Sequence, residues 1–359
     1  MSSATAIGKW KHTVLYLTLI ISLIYSIESL ISHKLHINHN KIRLKRSPNL
    51  PLRFRDDGTF KILQVADMHY GMGSITRCRD VLDAEFDYCS DLNTTRFLRG
   101  MIEAERPDLI AFTGDNIFGS STTDAAESLL QAIGPAIEYG IPWAAILGNH
   151  DQESTLDRQE LMTFLSLDDD GDQGALRLID GFGNYRLRVH GAPGSVLSNS
   201  TVFYLLFLDS GDRETVQGRR TYGWIKDSQL RWLQDTSKQG DNQSITGNPP
   251  ALAFFHIPIP EVRDLWYTPF IGQFQEGVAC SVVQSGLLQT FVSMGNVKAA
   301  FIGHDHVNDF SRVIEAKLGK GRDTWTGVER IKTWKRLDDE DLSKIDEQVL
   351  WEASYTFFT

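Results

Sequence analysis

Short apolar runs alternate with amphipathic stretches from residue 60 onward. Five runs are rich in Ile, Leu, Val, Phe and Ala, and they occupy residues 60–67, 108–115, 141–151, 251–258 and 297–306. Near-continuous apolar runs of this length are typical of strands that are buried on both faces of a sheet. Between them, apolar residues recur with the helical period at 94–106, 124–140, 227–239 and 281–295. The alternation of strands and helices predicts a layered α/β fold.

Further elements follow from the same pattern. Residues 184–191 and 202–210 predict two strands of a second sheet. Asp124 and Asp227 begin predicted helices, where a side-chain oxygen can accept hydrogen bonds from the free N–H groups of the first turn, and we predict an N-cap at each. The charged stretch 335–348 predicts a surface helix or tail without chemistry.

Length and charge bound the class of protein. The 359 residues suit one large α/β domain or two smaller ones, and the formal net charge is −10. Seven Lys and Arg residues and a single acid lie in the first 46 residues, so the remainder is more acidic than the whole chain. This balance argues against nucleic acid as a bulk partner. An anionic substrate must instead find positive charge locally, and metal ions are one source.

The N-terminus has the composition of a targeting segment. Residues 13–27 are almost wholly apolar and follow Lys9 and Lys11, which favours a signal peptide or membrane anchor within residues 1–32. No clear cleavage site follows, so an uncleaved anchor is the alternative, and a buried core helix is a third. The basic, polar residues 33–55 predict a linker.

Glycosylation sequons and cysteines agree with the secretory pathway. Three sequons start at Asn93, Asn199 and Asn242. An oxidising compartment favours a disulfide between Cys78 and Cys89, which leaves Cys280 odd. We therefore expect a secreted, extracellular or vacuolar protein, with membrane contact only through an uncleaved anchor.

Residues of types that can bind metal ions stand at or just beyond the end of each of the five apolar runs. They are Asp67 and His69, Asp115, the Asn149–His150–Asp151 stretch, His256, and the pair His304 and His306. In layered α/β folds, ligands gather outside the carboxyl ends of strands. Asp, Asn and His together suit zinc, manganese or iron. The alternative is that the acids cap helices and the glycines form turns, but five such ends in one chain favour a metal site.

In this order, the motifs resemble those of the calcineurin-like metallophosphoesterases: D-x-H, G-D, G-N-H-[DE], a lone His, and G-H-x-H over residues 60–310. The stretches "VADMHYG", "GNHDQES" and "FLDSGDR" are similar to plant purple acid phosphatases of the small "probable inactive" type. The resemblance implies a four-layer α/β/β/α sandwich of two mixed sheets over residues 56–310. Residues 311–359 would then add a C-terminal strand and a charged tail.

The resemblance also implies a dinuclear centre with seven protein ligands. One ion would be bound by Asp67, His69 and His306 and the other by Asn149, His256 and His304, with Asp115 bridging both. A bridging hydroxide would be the nucleophile, and iron paired with zinc or manganese would be the metals. His150 would act as the general acid or stabilise charge on the phosphoryl oxygens. Asp151 would support the loop.

The function implied is hydrolysis of a small phosphorylated substrate, most simply a phosphomonoester at acid pH. A phosphodiesterase of the same superfamily is one alternative, and a catalytically dead, secreted metal-binding relative is another. No protein partner is implied. Arg219 and Arg220 are candidates for reaching a phosphate, and Trp266 and Tyr267 for lining the rim of the site.

Two departures from the purple phosphatases stand out. His69 replaces a glycine of their first motif, and Phe118 stands where they carry a tyrosine ligand. Since the purple colour arises from phenolate bound to Fe(III), we expect this protein to lack it. The second departure follows Phe310, where a block of the relatives' sequence is expected to be missing. Its loss would expose a sheet edge and leave Cys280 without its partner, accessible to thiol reagents.

Overall fold

The computed structural model divides into two units, Met1–Lys45 and Arg46–Thr359. It describes residues 16–26, 51–79, 81–165, 179–238, 248–308, 312–320 and 325–353. In the first unit, residues 16–26 form a helix with exposed side chains. Within the described part of the chain, no helix combines the length and apolar character needed to cross a membrane. Most of the predicted leader and linker, as well as Asn242 and Phe310, lie outside the described residues.

Six α-helices occur among the described residues of the second unit. They are α1 (Asp83–Phe86), α2 (Asp91–Glu105), α3 (Ala125–Glu138), α4 (Arg158–Leu165), α5 (Asp227–Lys238) and α6 (Leu287–Met294). Short 3-10 helices lie at Gly119–Ser121 and Pro260–Tyr267. The Asp124 side chain accepts hydrogen bonds from two N–H groups of the first turn of α3, which confirms its N-cap. Asp227 is instead the first helical residue of α5.

In the described part of the chain, twelve strands form two large sheets and one hairpin. The strands are β1 (Thr59–Val65), β2 (Leu109–Thr113), β3 (Trp143–Ile146), β4 (Tyr185–His190), β5 (Thr201–Phe207), β6 (Arg213–Val216), β7 (Arg219–Tyr222), β8 (Ala251–Phe254), β9 (Val297–Phe301), β10 (Arg312–Lys320), β11 (Trp325–Arg336) and β12 (Lys344–Glu352). The first sheet has the order β12-β11-β10-β1-β2-β3, the second β4-β5-β8-β9, and β6 pairs with β7.

Both large sheets are mixed. In the first, β1, β2 and β3 are parallel, whereas β10 runs antiparallel to β1. In the second, β5, β8 and β9 are parallel and β4 is antiparallel to β5. Apolar residues of both sheets, such as Ile62 and Phe203, belong to one buried core. Leu233 of α5 and Phe291 of α6 join this core, and α2 packs against α3. The predicted α/β sandwich is confirmed.

The five predicted ligand strands are divided between the two sheets. β1, β2 and β3 belong to the first sheet, while β8 and β9 belong to the second, beside the two strands predicted there. Apolar runs of equal length do not specify which strands pair, because pairing depends on contacts between distant segments. The second sheet is therefore larger than the pattern indicates.

The C-terminal region differs from the predicted single strand and charged tail of residues 311–359. It contributes three strands to the first sheet, so this sheet continues well beyond residue 310. Its charged residues pair with one another: Glu347 of β12 binds Lys332 of β11 and Lys344 of its own strand. Because Lys344 and Glu347 are exposed and charged, the sequence of β12 begins as a polar stretch and its strand character is masked.

A buried carboxylate ties α2 to the first sheet. Glu105 accepts hydrogen bonds from Lys61 Nζ at 2.8 Å, Trp334 Nε1 at 2.8 Å and Arg336 Nε at 2.6 Å. Burial alone would raise the pKa of Glu105, but these three donors outweigh it and hold the pKa below its usual range. The ionised carboxylate therefore stabilises the fold.

We expect Glu105→Gln to lower the free energy of unfolding by about 3 kcal/mol at pH 7, since it leaves two partly buried cations without a counter-charge. A group whose pKa is depressed on folding stabilises the protein above its unfolded pKa, and the contribution is lost as the pH falls through the folded value. The difference from wild type in urea unfolding should therefore shrink at acid pH. Glu138→Gln, which breaks an exposed pair with Arg99, is the control and should cost less than about 1 kcal/mol. An equal Glu105 effect at both pH values would contradict the charge argument.

Candidate metal centre

The carboxyl ends of five strands, three from the first sheet and two from the second, converge at one place. They bring together two groups of metal-binding side chains, Asp67 with His69 and His306, and Asp115 with His256 and His304. Within each group, the ligand atoms lie within 4.8 Å of one another. The sequence reasoning proposed these same six side chains, and the structure assembles them.

The backbone at the strand ends is strained. Asp67, His69, Asp115 and His304 all have positive φ, of 52°, 46°, 46° and 81°. Non-glycine residues seldom adopt this left-handed conformation, and they persist in it only when the surrounding structure imposes it. Four of the predicted ligands therefore have a backbone conformation that costs free energy, and the packing of the surrounding fold maintains it.

Close backbone approach explains two of the motif glycines. A Cβ on Gly148 would lie 2.1 Å from Asp115 Oδ1, and a Cβ on Gly303 would lie 2.7 Å from Asp67 Oδ2. Neither glycine has a positive φ. Their role is therefore to admit a carboxylate against the main chain rather than to supply a left-handed conformation.

Two histidines and one carboxylate form the first group. Asp67 Oδ1 lies 3.8 Å from His69 Nε2 and 3.7 Å from His306 Nε2. The two Nε2 atoms are 2.9 Å apart. Burial raises the pKa of Asp67 to about 7 and lowers that of His69 to about 3. His69 is thus a neutral imidazole, the form that coordinates metals.

Asp115 connects the two groups. Its Oδ2 atom lies 3.3 Å from His256 Nε2 and 3.7 Å from His69 Nε2, so one oxygen atom is near a member of each group. Its Oδ1 accepts a hydrogen bond from the His150 N–H at 2.7 Å. Burial would raise the pKa of Asp115, but His256 and its neighbours hold it well below its usual range. The carboxylate is therefore ionised, and its Oδ2 faces a histidine of each group.

Hydrogen bonding selects the coordinating nitrogen of His256. Its Nδ1 lies 2.9 Å from the carbonyl oxygen of Thr113, to which it donates, so in the neutral ring Nε2 carries the lone pair. Burial lowers the pKa of His256, yet the Asp115 and Asp67 carboxylates outweigh burial and raise it to about 9. Since a metal ligand must be deprotonated, binding an ion here releases a proton.

Buried polar atoms without partners show that cations fit this donor set. In the part of the chain that the structure describes, no hydrogen bond satisfies Asp67 Oδ1, Asn149 Oδ1, His256 Nε2 or His304 Nε2. Burying such atoms unpaired is costly. All four belong to predicted ligands, and metal ions would satisfy acceptors that protein donors do not reach.

His150 lies at the rim, between a carboxylate and a guanidinium. Its Nδ1 is 2.9 Å from Glu153 Oε2, and its Nε2 is 3.2 Å from Arg213 Nη2. Arg213 also donates to the carbonyl oxygen of Asn149 and to Glu153. The sequence reasoning missed Glu153 and Arg213, although both lie in quoted motifs, "GNHDQES" and "FLDSGDR". The spacing of three residues between His150 and Glu153 was the available signal.

Asp151 supports the ligand loop, as expected. Its Oδ1 accepts from the Ile117 N–H at 3.0 Å and its Oδ2 from the Gly148 N–H at 2.7 Å. The side chain is fully buried, and burial raises its pKa to about 6. It joins the loops that follow β2 and β3.

The candidates for contacting the substrate are not members of the two groups of metal-binding side chains. Arg219 and Arg220 lie on β7, where both are exposed. Tyr222 of the same strand, which the sequence reasoning missed, packs edge-on against His304 with ring centroids 4.4 Å apart. Trp266 and Tyr267 line a surface cavity of about 450 Å³.

The cysteines and sequons can also be placed. The structure contains a Cys78–Cys89 disulfide, the pair expected from the sequence. Cys280 is free but buried, and burial raises the pKa of its thiol, so the expected accessibility to thiol reagents is wrong. Asn199 is exposed, whereas Asn93 accepts a hydrogen bond from the Ser90 N–H in the capping box of α2.

Phe118 occupies the expected position beside the first group. Its ring centroid is 5.6 Å from that of His69 and 4.8 Å from that of His150. Because phenylalanine carries no oxygen, we expect iron-loaded protein to lack the visible phenolate charge-transfer band. Phe118→Tyr should introduce this band, and absorption spectra of both proteins after iron loading provide the measurement. A strong band already present in the wild type would show that another tyrosine is a ligand.

Comparisons with known proteins agree with this geometry. A sequence model of the calcineurin-like phosphoesterase family matches residues 60–308. Probable inactive purple acid phosphatase 28 of Arabidopsis thaliana is 76% identical over 392 aligned positions, which cover 98% of this chain and 99% of that protein. The 392 positions outnumber the 359 residues of this chain, so that relative has positions without a counterpart here.

More distant relatives share the same region. Phosphatase DCR2 of Saccharomyces cerevisiae is 33% identical over 279 positions, covering 72% of this chain and 46% of that protein. The crystal structure of a dimetal phosphatase from Danio rerio matches with a TM-score of 0.51 at 14% identity, over 82% of this chain and 99% of that chain, which shows a shared fold. With strand-end motifs, fold and family model in agreement, the chain belongs to the calcineurin-like phosphoesterases.

Proposed function

We propose that this protein is a metal-dependent phosphomonoesterase that hydrolyses small phosphorylated substrates. The observation that carries the proposal is the position of Asp115, whose Oδ2 lies within 3.7 Å of a histidine of each group. Such a shared carboxylate is what a two-metal hydrolytic centre requires. The complete ligand set weighs against the alternative of a dead relative, even though the similar Arabidopsis proteins carry "probable inactive" in their names.

Two ions would be held by side chains that the structure already orients. They are Asp67, His69 and His306 for one ion, Asn149, His256 and His304 for the other, and Asp115 for both. When bound, the metals would supply Lewis acidity and activate water. The Asp, Asn and His donors suit iron, zinc or manganese, and we propose iron paired with one of the other two.

The groups of the chain itself handle the proton and the substrate. His150 can protonate the leaving-group oxygen, because it lies at the rim and belongs to neither group of metal-binding side chains. Glu153 accepts from His150 Nδ1–H, which fixes the orientation of the ring and leaves Nε2, beside Arg213, as the nitrogen that exchanges a proton with the substrate. Arg213 is bound to Glu153 and to the Asn149 carbonyl, so it fixes the loop of both residues.

We also propose that the protein enters the secretory pathway. The Cys78–Cys89 disulfide supports an oxidising compartment, and the exposed sequon at Asn199 supports glycosylation there. Digestion of the natively purified protein with a glycosidase, followed by mass measurement, would test this proposal.

Metal analysis together with an activity screen tests the proposed function. Full-length protein purified without chelators should contain near two metal ions per chain and should hydrolyse phosphomonoesters faster than matched phosphodiesters. Chelation should remove both metal and activity, and adding metal back should restore them. Metal-loaded protein without turnover on any ester would favour the binding-protein alternative, and preference for diesters would favour the diesterase.

A further inference from the structure

The side chain of Arg79 lies against the ring of Phe118. The guanidinium carbon of Arg79 is 4.2 Å from the centroid of the Phe118 ring, a cation–π contact. The other neighbours of this ring are His69 and His150. A single aromatic ring therefore separates the Arg79 cation from one predicted metal ligand and from the predicted general acid.

The charge of Arg79 is available to a ligand. Among the residues that the structure describes, no carboxylate forms an ion pair with it, and the side chain is exposed. Arg213, the other guanidinium at the rim, is already paired with Glu153 and Asp212.

The main chain that carries Arg79 is cross-linked. The preceding residue, Cys78, forms the disulfide with Cys89, and its N–H donates to the Cys89 carbonyl oxygen at 3.3 Å. One residue earlier, Arg77 forms a β-bridge with Ser90, and its side chain donates to the Asp87 carbonyl oxygen. Because this backbone is already restrained, the segment that carries Arg79 loses less conformational freedom when it binds a ligand.

We propose that Arg79 binds a phosphoryl oxygen of the substrate and of the product phosphate, with the Cys78–Cys89 disulfide holding it at the mouth of the centre. A guanidinium is suited to this role because its fork of N–H donors matches phosphate oxygens. In a chain of net charge −10, an unpaired cation at this position also offsets the general repulsion of a dianionic ester. The inference rests on the proposed function, since it names a substrate-binding residue of the same site.

Phosphate binding to the metal-loaded, full-length protein is the test, measured by calorimetry with inorganic phosphate. Arg79→Met keeps the length of the side chain and removes its charge. We expect affinity for phosphate to fall about 10-fold, as for loss of a charge-assisted hydrogen bond, and Arg79→Lys to recover part of it. With a phosphomonoester, KM should rise more than kcat falls. Metal content should be unchanged.

Arg99→Met is the matched control. It also removes one positive charge, but Arg99 lies on α2 and pairs with Glu138 of α3. Its phosphate affinity should equal that of the wild type. Replacing Cys78 and Cys89 together with serine should also lower the affinity for phosphate. An unchanged affinity would show that the disulfide does not position Arg79.

The outcomes separate this inference from the proposed function. Unchanged phosphate affinity in Arg79→Met, or wild-type protein that does not bind phosphate, would overturn the role of Arg79. Weakened phosphate binding in Arg79→Met, in a protein that hydrolyses no ester, would support Arg79 and overturn the phosphatase. An equal loss in Arg99→Met would show only a general effect of net charge and would also overturn the inference.

Discussion

Asp115→Asn is expected to reduce bound metal from near two ions per chain to one or none, and to lower phosphomonoesterase activity by more than about 100-fold. The change is isosteric but removes the negative charge at Oδ2, the atom that lies 3.3 Å from His256 and 3.7 Å from His69. Both predicted metal positions lose the same carboxylate, whereas a change at any other ligand affects one. Elemental analysis of the purified variant is the measurement.

Asp305→Asn provides a matched control within the same site. Asp305 stands between two predicted ligands, but its Oδ1 accepts a hydrogen bond from the Ala279 N–H, which an amide oxygen can also do. This variant should retain near two metal ions per chain. Full metal content in Asp115→Asn would show that Asp115 is not the shared ligand, and an equal loss in both variants would indicate a general disturbance of the loops.

His150→Ala is expected to retain metal while losing turnover by roughly 10²–10⁴-fold, the usual contribution of a general acid. His150 touches the centre through its backbone N–H, which donates to Asp115 and survives the substitution. Because a leaving group of low pKa needs little protonation, the defect should be smaller with an activated aryl phosphate than with an alkyl phosphate. Steady-state rates on both esters, alongside metal content, are the measurement.

Glu153→Gln serves as the comparison for His150. It keeps a hydrogen-bond acceptor beside Nδ1 but removes the charge that stabilises the protonated ring. The loss of turnover should be smaller than in His150→Ala and should follow the same dependence on leaving group. If metal content falls together with activity in His150→Ala, the residue is a ligand or a structural support instead.

Most ligands of the candidate centre could be predicted from local patterns in the sequence. Each predicted ligand stands within five residues of the end of its strand, and buried strands are recognisable because they are short, continuous and apolar. The N-cap at Asp124 is local in the same sense, since its acceptor and both donors lie within four residues. Side chains at strand ends can therefore be identified without knowing how the strands pair.

Strand pairing and the surroundings of the ligands were decided by contacts between distant segments. The division of the ligand strands between two sheets, and the entry of β10 next to β1, depend on hydrogen bonds between residues far apart in the chain. The strand β12 can carry charged residues because they pair across the sheet. Its charged sequence alone predicted a surface helix or tail. No local pattern distinguishes such a strand from a solvated helix.

The sequence by itself determined the ligand types, their order and the strand ends that carry them, because these depend on residue chemistry and local periodicity. Only the tertiary structure decided that Gly148 must lack a Cβ to admit Asp115, that Glu153 and Arg213 flank His150, and that Arg79 stacks on Phe118. These are approaches of a few ångströms between segments that two packed sheets bring together. Their distances depend on the whole fold, so no single stretch of the chain encodes them.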